Sequence, residues 1–345
     1  MSSRPLDIGV KAYELFHDTN LVDGSLFPNT RKLERETVRW VGRLLRNPNP
    51  DGSLTSGGTE SNLMALWIAR KRNPAAKKVL VPESAHYSIR RACELMTLET
   101  VSVPLDARFK ADVSIIREEL SEEVLACVLS AGTTEMGVVD PISEVSLICR
   151  ERDVFLHVDA AYGGFVLPFL RRCGFPAPDF DFANKGVQTV TVDPHKMGLA
   201  PIPAGMLVTR KGLLQKIAYK PEYLQNPTST VLGTRPGGPA AAVWALTKSL
   251  GVGGYTRIVG ECMRNALLLY DEIISMEGIE PIVMPELPIV CFRVGRNAET
   301  AYRRLSMRGW RLTFNSRLGF FRVVVMPHTR TPHILAFLED LKEVV

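Results

Sequence analysis

Two charged side chains, a lysine and an aspartate, each follow an apolar stretch that has the composition of a buried strand. Lys196 lies in Thr191-Val-Asp-Pro-His-Lys-Met-Gly198, and Asp159 lies in His157-Val-Asp-Ala-Ala-Tyr162. A lysine amine can form a Schiff base with an aldehyde, and a carboxylate can hold a pyridine nitrogen in its protonated form. Chemistry with pyridoxal 5'-phosphate (PLP) requires these two charged groups, so the pair predicts a PLP site at neighbouring strand ends.

A glycine-rich sequence at the start of a predicted helix offers a place for the phosphate of such a cofactor. In Ser56-Gly-Gly-Thr-Glu-Ser-Asn62, two glycines allow the backbone to approach an anion closely. The N–H groups of the first helical turn and the helix dipole favour a phosphate, and the Thr59 hydroxyl can add a hydrogen bond. The same residues also suit an ordinary glycine-rich turn with Thr59 as the helix N-cap, and the sequence leaves both interpretations open.

The histidines and aspartates near Lys196 also allow a metal site. His157 and Asp159 point to the same side of their strand, and with Asp193 and His195 they could supply four ligands for a metal-dependent hydrolase. Lys196 disfavours this alternative, because an ammonium group beside a divalent cation is electrostatically costly. We therefore expect no metal.

The alternation of apolar stretches and amphipathic segments predicts an α/β fold with a mostly parallel central sheet. A turn-rich segment is expected at 47–52. The predicted helices are 30–46, 59–72, 84–96 and 142–152, and the predicted strands are 79–81, 124–130, 154–159, 187–192 and 205–209. In such sheets ligands bind outside the carboxyl ends of the strands, which is where Asp159 and Lys196 are expected.

After the glycines at 251–254 the pattern changes to that of a smaller α+β domain. The sequence there predicts a long helix over 255–276, strands near 289–294, 310–314 and 320–326, and a final helix from about residue 332. We therefore divide the chain into an N-terminal segment (1–48), a large PLP-binding domain (49–252) and a small C-terminal domain (253–345).

Composition restricts the class of protein. Of the 345 residues 46% are hydrophobic and 23% are charged, as in ordinary globular proteins, and the net charge is a mild +5. The basic clusters at 70–72 and 77–78 lack any accompanying nucleic-acid motif, so we expect no nucleic-acid partner. No apolar run approaches the roughly 20 residues that span a bilayer, and the start lacks the apolar core of a signal peptide. These features predict a cytoplasmic protein without a membrane partner.

Several motifs, taken in order, resemble those of one enzyme family. They are Gly57-Gly58-Thr59, His86, Gly132-Thr-Thr134, His157-Val-Asp-Ala-Ala161, Asp193-Pro-His-Lys196 and Gly233-Thr-Arg-Pro-Gly-Gly238. From about residue 20 onward the chain is similar to the group II PLP-dependent amino-acid decarboxylases, of aminotransferase fold type I. The stretch from His195 to Gly205 is typical of the archaeal tyrosine/aspartate decarboxylases in that family.

The resemblance implies a role for several residues around the cofactor. Lys196 is expected to form the Schiff base and Asp159 to pair with the pyridine nitrogen, while His86 stacks on one face of the ring. These three are the expected catalytic residues. The other implied contacts are with the opposite ring face (Ala161), the phosphate (Gly58, Thr59, His195), the ring hydroxyl (Thr133 or Thr134) and the phosphate in the neighbouring subunit of a homodimer with shared active sites (Gly233, Thr234).

The resemblance also implies the reaction, which is decarboxylation of an L-amino acid. The expected conversions are L-tyrosine to tyramine or L-aspartate to β-alanine, feeding methanofuran or coenzyme A biosynthesis. Arg322 is expected to bind a substrate carboxylate, and Phe27 to line an apolar pocket. Tyr223, or else Tyr219, is the candidate proton donor on the loop 217–230.

Besides the decarboxylase, two further hypotheses remain open at this point. Gly233-Thr-Arg-Pro-Gly and Asp193-Pro-His-Lys also resemble sphingosine-phosphate lyase, a PLP-dependent lyase of the aldolase type. A protein with this fold that binds PLP without catalysis is a third possibility, which the intact pair of Lys196 and Asp159 disfavours. Asp193 has no role in any of the PLP interpretations.

Overall fold

A seven-stranded sheet forms the centre of the protein in a computed structural model that describes residues 4–295 and 297–345. Its strands are β1 (Asp51–Thr55), β2 (Lys78–Pro82), β3 (Glu99–Val103), β4 (Val124–Ser130), β5 (Phe155–Asp159), β6 (Val187–Val192) and β7 (Gly205–Thr209). They lie in the order β1-β7-β6-β5-β4-β2-β3. The five strands from β6 to β3 are parallel, whereas β7 and β1 are antiparallel to their neighbours.

Helices cover both faces of this sheet. Before the small domain they are α1 (Asp7–Leu15), α2 (Pro28–Leu44), α3 (Gly58–Arg72), α4 (Tyr87–Leu95), α5 (Val113–Glu119), α6 (Ile142–Glu151) and α7 (Leu167–Arg172). On one face, Leu66 and Ile68 of α3 belong to the same buried cluster as Val79 and Val128 of the sheet. A larger cluster fills the opposite face. Because both faces are covered, β4 is buried along its whole length, as its apolar sequence predicts.

A smaller four-stranded antiparallel sheet follows in the C-terminal part, in the order β10-β11-β9-β8. Its elements are α8 (Gly238–Ile274), β8 (Ile279–Pro281), β9 (Ile289–Val294), α9 (Ala298–Met307), β10 (Thr313–Asn315), β11 (Phe320–Val324) and α10 (Thr331–Val344). The predicted α/β class, with a mostly parallel sheet and a smaller α+β part, is confirmed.

The long helix begins earlier than the sequence predicts. Helix α8 starts at Gly238 rather than near residue 255, and it is interrupted at Gly251 (φ +54°, ψ −166°). Glycine adopts this conformation readily because it has no Cβ, which is why the run of glycines suggests a boundary there. The division between residues 252 and 253 follows this interruption directly, and it stays a prediction.

The segment predicted as a turn over 47–52 is partly a strand. Strand β1 starts at Asp51 and pairs with β7 at the edge of the sheet. The sequence Asp-Gly-Ser-Leu-Thr has the composition of a turn, so only its tertiary pairing makes it a strand. The short elements α1, β3, α5, α7, β8 and α9 were likewise not predicted.

Across the two described ranges, no helix is long and apolar enough to cross a membrane. All six cysteines are free thiols.

Candidate active site

A cavity of about 320 Å³ opens where β4, β5 and β6 end and α3 begins. Its volume lies at the lower end of the range for small-molecule sites, roughly 300–1,000 Å³. The sequence motifs from distant parts of the chain meet in this cavity. The predicted site residues that line it are Gly58, Thr59, His86, Asp159, Ala161, His195 and Lys196.

Lys196 forms an ion pair inside the cavity with Asp193, a residue for which the sequence predicts no role. The Lys196 Nζ atom lies 3.2 Å from Asp193 Oδ2, and His195 Nε2 lies 3.4 Å from the same oxygen. His195 Nδ1 accepts a hydrogen bond from the N–H of Ala204, so its other nitrogen faces the carboxylate. The second oxygen of the buried Asp193 carboxylate has no hydrogen-bond partner in the structure. A buried polar atom of this kind is expected where a ligand or water completes the site.

The glycine pair at the start of α3 brings the backbone close to this ion pair. A Cβ atom at Gly58 would lie 3.0 Å from Asp193 Oδ2 and 3.4 Å from Ala161 Cβ, and one at Gly57 would lie 3.3 Å from His195 Cε1. The first N–H groups of a helix lack partners within the helix, and the dipole makes this end positive. Side chains at these positions would narrow the cavity, so the start of α3 has the shape and charge that suit a phosphate.

Both oxygens of the Asp159 carboxylate are oriented by hydrogen bonds. Oδ1 accepts from the N–H of Ala161 at 3.0 Å, and Oδ2 accepts from Asn62 Nδ2 at 2.8 Å. The sequence analysis did not identify Asn62, although it lies four residues after Gly58 and therefore on the same face of α3. The carboxylate is nearly buried, and these two hydrogen bonds hold its orientation.

His86 lies at the N-cap position of α4 and borders the cavity. Its Nδ1 atom accepts a hydrogen bond from the N–H of Ser88 at 3.3 Å and lies 2.8 Å from Ser88 Oγ. Partial burial is the main factor that lowers the pKa of His86, and the positive charge of Lys196 lowers it further against the effect of Asp159. A neutral imidazole suits the predicted position against a ring face.

His157 is fully buried and does not face the cavity as a metal ligand. Its Nδ1 lies 2.8 Å from Thr189 Oγ1, and its Nε2 lies 3.0 Å from Asn62 Oδ1. Burial lowers its pKa to about 4, although the Asp159 carboxylate opposes this shift. Within residues 4–295 and 297–345, no three histidine, cysteine, aspartate or glutamate side chains are arranged to hold a metal ion. The metal-dependent hydrolase therefore lacks the ligand set that it needs.

Two predicted residues, Thr133 and Arg322, do not line the cavity, although both are next to Thr134, which does. Thr134 lines the cavity, whereas the buried Thr133 accepts a hydrogen bond from the N–H of Val138 at its hydroxyl oxygen. Of the two threonines proposed for the ring hydroxyl, Thr134 is therefore the one at the cavity. Arg322 donates a hydrogen bond from Nη1 to the Thr134 carbonyl and another from Nη2 to Thr313 Oγ1.

Five other predicted residues lie outside the cavity lining of this chain. Phe27 occupies the N-cap position of α2, and Tyr223 and Tyr219 are 83% and 71% exposed. Gly233 and Thr234 are in an exposed segment, and a Cβ atom at Gly233 would have no neighbour within 4 Å. Within one chain, these residues therefore do not make the contacts that were predicted for them.

The match to a family model decides the interpretation of this cavity. Residues 16–295 match the model described as the pyridoxal-dependent decarboxylase conserved domain. The chain belongs to this decarboxylase family. It is 41% identical to the probable L-tyrosine/L-aspartate decarboxylase of Methanothermobacter thermautotrophicus, over 99% of this chain and 94% of the relative. It is 40% identical to the L-aspartate/L-glutamate decarboxylase of Pyrococcus horikoshii, over 100% of this chain and 91% of the relative.

A solved structure gives a similar result for the fold. The sphingosine-1-phosphate lyase of Burkholderia pseudomallei K96243 superposes with a TM-score of 0.93 at 26% sequence identity, over 99% of this chain and 84% of the lyase. The predicted family, fold type and cofactor are confirmed. The decarboxylase is a PLP-dependent carboxy-lyase that acts on an amino acid, and its cavity fits the cofactor through its lysine, its oriented carboxylate and the glycines of α3.

Proposed function

We propose that the enzyme converts L-aspartate to β-alanine, with L-tyrosine, giving tyramine, as the alternative substrate. The observation that carries this proposal is that Lys196, Asp159 and Gly58 meet in one cavity of a chain that is 37–42% identical to relatives whose printed names include aspartate. β-Alanine would feed coenzyme A biosynthesis, and tyramine would feed methanofuran biosynthesis.

The charged residues of the cavity have distinct roles in this reaction. Bound PLP supplies an electron sink for the pair released when the Cα–carboxylate bond breaks. Lys196 contributes the amine that holds the cofactor aldehyde, and Asp193 holds that amine at the cavity floor. Asp159 keeps a proton on the pyridine nitrogen. His86 covers one ring face and excludes water from it.

The phosphate of the cofactor is assigned to the start of α3. The N–H groups after Gly57, the Thr59 hydroxyl and the His195 ring would hold it there. Ala161 would lie against the opposite ring face, where its small side chain leaves room for a flat ring. Thr134 lies at the position for the ring hydroxyl.

Arg322 is our candidate for binding a substrate carboxylate. Its guanidinium contacts the carbonyl of Thr134, which lines the cavity, although Arg322 itself lines a second cavity in the C-terminal part of the chain. Binding an acid in the first cavity would require the Arg322 side chain to change its conformation. Aspartate has two carboxylates, and an arginine can pair with one of them through two parallel hydrogen bonds.

We also propose a homodimer in which each subunit completes the other's cavity. Gly233, Thr234, Phe27 and Tyr223 lack contacts with the cavity of their own chain. Tyr219 and Tyr223 in the loop 217–230 are exposed, and so is Leu232 beside Gly233. Such exposure is expected for a surface that a second copy covers. In this arrangement Gly233 and Thr234 contact the partner's phosphate, Phe27 the substrate, and Tyr223 gives a proton to Cα.

A second candidate activity is cleavage of a phosphorylated amino alcohol, as in the lyase from B. pseudomallei. The TM-score of 0.93 with that structure favours this alternative, because the two proteins share their fold over 99% of this chain. The 40–41% identity to named decarboxylases favours decarboxylation more strongly.

Parallel kinetics test the proposal. PLP-loaded enzyme is supplied with L-aspartate, L-tyrosine, L-glutamate or a phosphorylated long-chain amino alcohol, and carbon dioxide and aldehyde are both measured. We expect carbon dioxide with the highest kcat/KM for aspartate, and none with Lys196→Ala. A preference for tyrosine would favour the alternative substrate, and aldehyde without carbon dioxide would favour the lyase.

A further inference from the structure

One amide side chain, that of Asn62, connects the polar groups beneath the cavity. Its Nδ2 atom lies 2.8 Å from Asp159 Oδ2 and 3.0 Å from Ser88 Oγ, and its Oδ1 atom lies 3.0 Å from His157 Nε2. Asn62 is 1% exposed and itself borders the cavity. Its amide thus uses both hydrogens and its oxygen within the protein.

The chemistry of these partners fixes the direction of each hydrogen bond. A carboxylate can only accept, so the amide nitrogen must face Asp159 and the amide oxygen must face His157. His157 then donates from Nε2 to Asn62, and its Nδ1 accepts from the hydroxyl of Thr189 at 2.8 Å. The charge on Asp159 therefore determines which nitrogen of His157 carries the proton.

Hydrogen bonds of Ser88 likewise determine which nitrogen of His86 carries the proton. Ser88 Oγ accepts from Asn62, so its own proton is available for His86 Nδ1 at 2.8 Å. The backbone N–H of Ser88 points to the same nitrogen at 3.3 Å, which confirms that Nδ1 is an acceptor. The proton of the neutral His86 ring therefore lies on Nε2.

Burial increases the free-energy cost of losing any of these hydrogen bonds. Ser88 is 1% exposed and His157 is fully buried, so water does not replace a bond that is lost. A hydrogen bond to a buried charged group contributes more than a neutral one, and an unmatched buried partner is costly. Asn62 also lies one turn after Gly58, so the helix that binds phosphate positions this amide as well.

We propose that Asn62 is a positioning residue that orients the Asp159 carboxylate toward the pyridine nitrogen and, through its amide oxygen, sets the tautomer of His157. This inference rests on the role proposed above for Asp159. A residue that only supports the core would share the same burial, so the test must report on the cofactor nitrogen and on the histidine protons.

The principal test compares Asn62→Ala with Ser61→Ala, both loaded with ¹⁵N-labelled PLP. Ser61 is a matched control because it is the preceding residue of α3, is fully buried, and its hydroxyl bonds with Thr55 outside this network. In Asn62→Ala we expect the pyridine ¹⁵N resonance to move toward its unprotonated position and the PLP dissociation constant to rise roughly tenfold. Ser61→Ala is expected to change neither quantity.

A measurement without PLP tests the histidine assignments. Two-dimensional ¹H–¹⁵N spectra of the PLP-free protein are expected to show the protons of His86 and His157 on Nε2. Ser88→Ala, which keeps the backbone N–H that points to His86 Nδ1, is expected to leave the His86 proton on Nε2 and the pyridine resonance of the loaded protein in place. If Asn62→Ala does not fold, Asn62→Ser, which keeps a small polar side chain, replaces it in both measurements.

The outcomes separate this inference from the role of Asp159. An unchanged pyridine resonance in the Asn62 variant, or a proton on Nδ1 of His157, overturns the inference. Asp159→Ala is measured in parallel. If it also leaves the pyridine ¹⁵N resonance unchanged, the proposed role of Asp159 is overturned as well. If Asp159→Ala moves the resonance and the Asn62 variant does not, only the inference about Asn62 is overturned.

Discussion

At the scale of single residues, the ion pair between Lys196 and Asp193 is the chemical centre of the site. The lysine is held 3.2 Å from a carboxylate whose other oxygen is buried without a partner. Removing the Lys196 amine and removing the Asp193 carboxylate have different consequences, because only the lysine can bond to the cofactor aldehyde.

The first prediction concerns covalent capture of the cofactor. After borohydride reduction, intact-protein mass spectrometry is expected to show the added cofactor on the wild type and on Asp193→Asn, and none on Lys196→Ala. We expect Asp193→Asn to lower kcat by roughly tenfold or more, because its neutral amide cannot balance the lysine charge. Cofactor trapped on Lys196→Ala would contradict the assignment.

The second prediction concerns the pH dependence of stability through His157. Burial lowers its pKa to about 4 in the folded protein, whereas an unfolded histidine titrates near 6.5. Between these values the unfolded chain binds more protons, so the contribution of neutral His157 is complete above pH ~6.5 and is lost as the pH falls toward 4. The full effect is at most about 3 kcal/mol in the free energy of unfolding.

A difference measurement isolates this contribution. Burial raises the pKa of Asp140 to about 6, which has the opposite effect on stability over part of the same window. Urea unfolding of PLP-free wild type and His157→Gln at pH values from 4 to 7 is therefore compared. We expect the wild-type advantage to shrink as the pH falls, and a constant difference would show that His157 is not held neutral.

At the scale of elements, the sheet explains why part of the site could be predicted. The carboxyl ends of parallel strands lie along one edge, so Asp159 and Lys196 were expected to meet, and the structure brings them into one cavity. The helix after Gly58 could be predicted from its own glycine-rich start, without knowledge of the strand before it. Asn62 and Asp193 depend on distances between separate elements, which a linear pattern does not contain. Strand β1 was missed for a similar reason, since its pairing with β7 overrides a turn-like composition.

The third prediction tests the start of α3 as the phosphate site. In Gly58→Ala the added methyl group would lie 3.0 Å from Asp193 Oδ2, at the point where the backbone must approach an anion. We expect the PLP dissociation constant to rise by roughly tenfold or more with little change in thermal stability. Gly253→Ala is the control, because a Cβ atom there meets no atom within 4 Å. Equal PLP affinities in the two variants would refute this assignment.

At the scale of the whole molecule, the segment that runs from the loop 217–230 to Gly233 exposes large side chains. Tyr219 and Tyr223 are 71% and 83% exposed, and Leu232 beside Gly233 is 44% exposed. Burying such surface favours association, and a two-fold dimer would place the same segment at both cavities.

The fourth prediction is complementation between two damaged subunits. Lys196→Ala and Thr234→Ala damage different parts of the site, and each is expected to be weakly active or inactive alone. If the sites are shared, a mixed dimer contains one cavity with both residues intact, so unfolding and refolding the two variants together should restore activity above either parent. Sedimentation of the wild type as a monomer, or no gain on mixing, would contradict the shared site.

The central claim is that this cavity decarboxylates an acidic or phenolic L-amino acid. The most direct measurement follows L-aspartate labelled with ¹³C in its α-carboxylate, and L-tyrosine labelled in the same way, incubated with the PLP-loaded enzyme in deuterium oxide. We expect labelled carbon dioxide together with β-alanine or tyramine that carries one deuterium at the former Cα. Turnover of neither amino acid, together with aldehyde from a phosphorylated amino alcohol, would contradict it.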